Sequence, residues 1–305
     1  MKRLAGVLAA GLLAAGCSSG ATSVAAPSSA PTSTASTTTA AVVSTTTSTA
    51  LATTTSTTVA PSTTTSTTLA PTTTAAPTTT AGSTNDFLGE EVLGTSAGGR
   101  PIIAMHRGTA GGTVVLVVGV IHGNENAGLG IVDQLRTMPI PPGIDLWLLA
   151  EMNPDGVAND VRHNGNGVDL NRNFPHDWTQ IGEPGYWEYS GTGPASEPET
   201  QAFMAFVDRV QPELTLWYHQ DLYRISPSSR RDGPLRVRYA ELTGLPVLSV
   251  SGGTYTGVAA TWVRNTHTPA MSFIVELGPT LSGAEAAVHA QAVLAISQMV
   301  VDGEV

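Results

Sequence analysis

Between Arg3 and Asp86 the chain carries no charged residue, and every other charged residue except Lys2 lies from Asp86 onward. No soluble domain core is built that way. From residue 18 to residue 84 the chain is almost wholly Ser, Thr, Ala and Pro, with the run Thr53-Thr54-Thr55-Ser56-Thr57-Thr58 nearly repeated at residues 63–68. Such a segment has too few large apolar groups to offset the entropy of ordering it. We read it as a disordered stalk, spanning roughly 45 Å as a flexible coil and about 200 Å as an extended polyproline-like chain. The whole-chain charged fraction of 12% therefore averages two different polymers. The part after the stalk, residues 85–305, is long enough for one well-buried core. It holds 12 arginines and no lysine against 24 acids, a formal excess of 12 negative charges, which excludes a basic nucleic-acid footprint.

Ahead of the stalk, Lys2 and Arg3 precede an apolar run, residues 4–15, with the form of a secretory signal and too short for a transmembrane helix. The run ends in Leu13-Ala14-Ala15-Gly16-Cys17, which resembles the lipobox of bacterial lipoproteins, with Ala14 in place of the usual Leu. Cys17 is the only cysteine, so no intramolecular disulfide exists. The expectation is an exported protein, lipidated at Cys17 and facing the cell wall, or secreted if Cys17 is not lipidated. The membrane then enters only through the anchor.

In the remaining residues, four short apolar runs, 113–121, 144–151, 214–218 and 271–275, read as buried strands of a largely parallel sheet. Helical patterns lie between and after them, at 127–138, 197–210, 235–245 and 284–301. Ser196, three residues before Glu199, has the form of a capping box opening the second helix. A hairpin is expected over 89–105. The alternation argues for a single α/β domain, a mixed but largely parallel sheet with helices on both faces. In such sheets ligands bind beyond the carboxyl ends of the strands. The chemistry-bearing residues fall there: His122-Gly123-Asn124-Glu125 after the first strand, Asn153-Pro154-Asp155-Gly156 after the second, His219 after the third and Glu276 after the fourth.

His122 and Glu125, with His219 far along the chain, supply two imidazoles and one carboxylate, the donor set of a catalytic zinc that keeps one position open. The spacing differs from the helical His-Glu-x-x-His arrangement, so the base must come from elsewhere. Glu276 is the candidate: a carboxylate there can take a proton from water on the metal and hand it to a leaving amine.

With Gly94-Thr95-Ser96, Gly99-Arg100-Pro101-Ile102, Arg162, Gly167-Val168-Asp169-Leu170-Asn171-Arg172-Asn173-Phe174-Pro175, Ser196-Glu197-Pro198-Glu199-Thr200, Trp217-Tyr218-His219 and Val275-Glu276-Leu277, these motifs resemble, in joint order, the zinc carboxypeptidase family. Within it the chain is most similar to compact murein peptide amidases. The resemblance implies one zinc on His122, Glu125 and His219, and Glu276 as general base. It implies that Arg162 polarises the scissile carbonyl, that Asn171 and Arg172 grip a substrate carboxylate, and that Asp169 accepts a hydrogen bond from the first zinc imidazole. Arg162 could instead be a surface arginine, and Arg172 could merely pair with Asp169.

Digestive-type members carry a tyrosine shortly before the base. Here the intervening segment is longer and Tyr255 lies farther back, so no tyrosine is assigned. His106, His163, His176, His267 and His289 match no ligand position and are expected on the surface or in loops. Trp178, Trp187 and Tyr189 either line a cleft or pack beneath their loop. The implied activity is zinc-dependent hydrolysis of an amide bond next to a free carboxylate, in peptides or in muropeptides at the bond between γ-D-glutamate and a diamino acid, by a monomer. Two other readings stay open: a deacylase of N-acyl amino acids, and a non-catalytic wall-binding lipoprotein.

Overall fold

A computed structural model describes residues 86–253 and 255–305. The signal segment with Cys17 and the stalk lie outside the described residues. The elements run β1 (Phe87–Thr95), β2 (Pro101–Gly108), β3 (Thr113–Val120), α1 (Gly128–Leu135), β4 (Ile144–Glu151), α2 (Pro154–Asn159), α3 (Pro198–Val210), β5 (Leu214–Gln220), β6 (Arg224–Ile225), α4 (Gly233–Thr243), α5 (Ala259–Thr266), β7 (Met271–Leu277) and α6 (Gly283–Val301). A single 3-10 turn, Leu170–Arg172, precedes α3.

The strands form one seven-stranded sheet in the order β1-β2-β4-β3-β5-β7-β6. The four central strands β4, β3, β5 and β7 are parallel, while β1, β2 and β6 pair antiparallel at the edges. Central strands read as continuous apolar runs because both faces are covered. Alternate residues point to opposite faces. Val115, Val117, Leu216 and Val275 pack with Ile131, Tyr239 and Val293 from α1, α4 and α6. Leu116, Val118, Trp147 and Trp217 pack on the other face with Phe203 and Phe206 of α3 and Trp262 of α5. The expected α/β sandwich and the hairpin formed by β1 and β2 are therefore present. At the start of α1 the helix approaches the sheet so closely that a Cβ on Gly128 would lie 2.2 Å from the carbonyl oxygen of Gly119.

The order of the central strands places the site. The chain leaves β3 for β4 on one side and later returns to β5 on the other, so a crevice opens beyond the carboxyl ends of β3, β5 and β7.

Two sequence expectations are corrected. Ser196 and Glu199 do not form a capping box. Pro198 takes the first helical position of α3, which makes Glu197 the N-cap, without a side-chain cap. Ser196 Oγ instead donates to Glu197 Oε1 (2.7 Å), and Glu199 Oε1 accepts the Ala97 N–H (2.8 Å). A true capping box opens α6, from Ser282 and Glu285. The second correction concerns histidines. His289 is buried in α6 within 2.8 Å of the Tyr239 hydroxyl, and His106 on β2 stacks on Trp147 at 4.0 Å; neither is a loop residue.

Candidate metal centre

His122 follows the end of β3, His219 lies on β5 one register position across from Glu276 on β7, and Glu125 closes a turn through its N–H to the His122 carbonyl (2.9 Å). That turn needs Gly123. A Cβ there would lie 1.8 Å from the carbonyl carbon of Gly156, in the first turn of α2. Asn153 caps α2 by accepting the Gly156 N–H (2.9 Å), and its Nδ2 donates to the carbonyls of Ile121 (3.1 Å) and Arg162 (3.2 Å). The Asn-Pro-Asp-Gly motif thus ties the end of β3 to the loop that carries Arg162. Asp155 anchors the turn of the β1–β2 hairpin through the Gly98 N–H and Arg100 Nη1, both at 2.6 Å.

The donor atoms of His122, Glu125 and His219 lie within 4.8 Å of one another. Glu125 Oε1 stands 2.9 Å from His122 Nδ1, and its Oε2 stands 2.8 Å from His219 Nδ1. His122 Nε2 meets Asp169 Oδ1 at 2.9 Å, which leaves Nδ1 to face the shared centre. The set fits a cation on an observation of its own: the Arg162 guanidinium directs Nη1 at Glu125 Oε1 (2.9 Å) and lies 3.1 Å from His122 Nδ1. Burial disfavours the Glu125 carboxylate, yet hydrogen bonds from both imidazoles outweigh it and hold Glu125 far below the ordinary range. Burial likewise opposes protonation of His122, but Asp169 and Glu125 push its pKa up, whereas burial dominates at His219 and pushes it down.

Asp169, fully buried, is the hub. Its Oδ1 also accepts the Asn171 N–H (2.9 Å), while Oδ2 accepts Arg162 Nε (3.0 Å) and Nη2 (2.8 Å). Burial would raise its pKa, but His122, Arg162 and Arg172 hold it well below the ordinary range. The loop around it is pinned by the Ser-Glu-Pro-Glu motif: Asn164 Nδ2 donates to Glu197 Oε2 (2.8 Å) and Glu199 Oε2 (2.9 Å).

Glu276 is half-buried, and its Oε2 has no hydrogen-bond partner. Burial, with the nearby Glu125 charge, pushes its pKa up to about 7, against the pull of Arg224. A cavity of about 470 Å³ is bordered by the three metal-donor residues together with Arg162, Arg172, Trp187, Glu188 and Glu276.

The structure therefore gathers every residue that the sequence pointed to in this domain, with two refinements. Asn171 stands between His219 and α5, its Nδ2 3.4 Å from His219 Nε2 and its Oδ1 accepting the Ala259 N–H (3.0 Å). Arg172 pairs with Glu188 and not with Asp169, while its Nε has no partner. Trp187 faces the cavity with Arg162 5.0 Å over its ring, whereas Tyr189 packs inside. Glu188 and Tyr255 also border the cavity, and no motif in the sequence marks them.

Residues 75–222 match the family model described as zinc carboxypeptidase. The murein peptide amidase A of Escherichia coli K12 is 32% identical over 186 residues, covering 57% of this chain and 76% of that protein. The chain belongs to the zinc carboxypeptidase family. The crystal structure of the murein-tripeptide amidase from Escherichia coli O157 is similar at 27% identity and a TM-score of 0.57, over 69% of this chain and 92% of that one. The carboxypeptidase A of Helicoverpa armigera shares the fold at 18% identity, with a TM-score of 0.62 over 72% of this chain and 69% of that one. As a member of the family the protein is a zinc metallopeptidase, similar to murein peptide amidases, and zinc is the metal that the His122, Glu125 and His219 cluster fits.

Proposed function

We propose that the protein hydrolyses an amide bond next to a free carboxylate in peptidoglycan stem peptides, with Glu276 moving the proton. The observation that supports this is Glu276 itself: an unpartnered carboxylate oxygen bordering the same cavity as the three metal donors. When bound, the zinc supplies a Lewis acid that polarises the carbonyl and makes water more acidic. The chain does the rest. Glu276 Oε2 accepts a proton from the attacking water, and a pKa lifted by burial lets the same carboxyl return it to the leaving nitrogen. Arg162, tethered to Asp169 through Nε and Nη2 and reaching Glu125 Oε1 with Nη1, sets its positive charge beside the metal donors, where it stabilises charge developing on the carbonyl oxygen. Arg172, with Nε unpartnered, and Asn171, which borders the same cavity, face the substrate carboxylate.

The peptidoglycan assignment draws on the murein peptide amidase relatives and on the wall-facing stalk and lipid anchor at Cys17 read from the sequence. Zinc-loaded protein is assayed against muropeptides, peptides with free C-termini and N-acyl amino acids, with products identified by mass spectrometry. Cleavage of muropeptides at the γ-D-glutamyl bond supports the reading; release only of acyl groups from amino acids overturns it. Fatty-acid labelling that is lost in Cys17→Ala tests the anchor.

A further inference from the structure

β6 is only two residues long, yet it puts Arg224 directly opposite Glu276 of β7. Residues directly opposite in an antiparallel pair project from the same face of the sheet, with Cβ atoms about 4.5–5.5 Å apart. The next pair, Ile225 and Val275, points to the other face, into the core with Tyr239. Arg224 therefore shares with Glu276 and Ile274 the face on which the cavity of the metal centre opens.

Both members of the pair carry a buried polar atom without a hydrogen-bond partner, Nε of Arg224 and Oε2 of Glu276. Such atoms are rare in folded proteins, because each forfeits the bond it made with water. The arginines that border the cavity are committed, Arg162 to Asp169 and Glu125 and Arg172 to Glu188. Among the described residues Arg224 has no carboxylate partner. Four charged or polar groups act on the Glu276 carboxyl from the elements around it. Glu125 opposes its ionisation, while Arg224, His122 and the Leu222 N–H favour it. Of these, Arg224 is the one permanent positive charge. It does not border the cavity, so it acts on the reaction only through Glu276. It leaves Oε2 free of a hydrogen bond, and that oxygen stays open to a proton from water.

We propose that Arg224 is a positioning residue for the base: from across the β6–β7 pair its charge holds the Glu276 carboxylate toward the cavity without occupying Oε2. The inference rests on the role of Glu276 given under the proposed function and adds to it a residue that no sequence motif marks.

The test is a pair of double-variant cycles on the zinc-loaded full chain. Arg224→Met removes the charge and keeps an apolar stem; kcat on a muropeptide is expected to fall by roughly three- to tenfold, with KM within about twofold of wild type and zinc content unchanged. Arg224→Lys restores most of the loss. Introduced into Glu276→Gln, Arg224→Met changes kcat no further, because the carboxylate through which it acts is gone. Should Arg224→Met not fold, the neutral Arg224→Gln serves with the same expectations. The second cycle needs no hydrolysis. Denaturant unfolding at about pH 8, above the Glu276 pKa of about 7, is expected to show a larger loss from Arg224→Met in wild type than in Glu276→Gln. Wild-type kcat in Arg224→Met, an equal fall of kcat in both backgrounds, a change carried by KM alone, no rescue by Arg224→Lys, or additive unfolding losses overturns the inference. If no substrate is cleaved but the unfolding losses are coupled, the hydrolase reading fails and the pairing of Arg224 with Glu276 stands.

Discussion

Replacing Asp169 by Asn separates its charge from its shape. Asp169 is fully buried and accepts four N–H groups: His122 Nε2 and the Asn171 backbone on one oxygen, Arg162 Nε and Nη2 on the other. An amide fills the same volume but has one oxygen. Oriented toward His122 it points its NH2 at two guanidinium donors; turned over it points the NH2 at the imidazole and the backbone N–H. Two hydrogen bonds are lost either way, together with the charge that balances Arg162. Breaking a buried ion pair by removing one partner costs about 3–5 kcal/mol. Arg162 retains some exposure and can turn partly to water, which favours the lower end, about 3 kcal/mol. Loss of the carboxylate behind a metal-binding imidazole lowers metal affinity by roughly 10- to 100-fold. Denaturant unfolding of the metal-free protein measures the first quantity, and zinc competition against a chelator measures the second. Stability and zinc affinity both equal to wild type would refute the hub role of Asp169.

Three further outcomes follow from the geometry. Gly123→Ala places a methyl group where the Gly156 backbone stands, so the turn from His122 to Glu125 cannot keep its shape; zinc content by mass spectrometry under native conditions is expected to fall below stoichiometric. Glu188→Gln removes the ion-pair partner of Arg172, freeing the guanidinium for a substrate carboxylate; KM is expected to drop by roughly three- to tenfold with kcat nearly unchanged. The base must be ionised to act, so kcat/KM falls as pH drops through the Glu276 pKa. Burial and Glu125 lift that pKa from 4.5 to about 7, and a divalent cation on Glu125 cancels part of the lift. A pH–rate profile is therefore expected to show an acidic limb between about 4.5 and 7; a limb lying above 7 counts against the assignment.

Much of this was legible in the sequence because strand ends and site residues coincide. The runs 113–121 and 144–151 match β3 and β4 almost residue for residue, and the residues at or just past the carboxyl ends of the parallel strands carry the chemistry. What stayed illegible depends on contacts between distant segments. Ala259–Thr266 is too short and mixed to announce itself as α5, and β6 is only two residues long, held by pairing with β7. Ser196 and Glu199 have the spacing of a cap, but Pro198 moved the helix start and the Ala97 N–H and Asn164 claimed the glutamate. Arg172 looked committed to substrate or to Asp169. Its partner, Glu188, lies 16 residues on in a loop whose path no local pattern specifies. Tyr255 sat too far from Glu276 in sequence to be assigned, yet it borders the cavity of the metal centre.

The central claim is that Glu276 moves the proton at a centre built from His122, Glu125 and His219. The direct measurement is kcat of Glu276→Gln on a muropeptide substrate at saturating zinc, with metal content determined on the same sample. The amide keeps the shape of the side chain, so one zinc per chain and a wild-type melting temperature are expected, with kcat lower by roughly a hundred- to ten-thousand-fold. A zinc-replete Glu276→Gln protein that retains kcat within a few-fold of wild type would contradict the account.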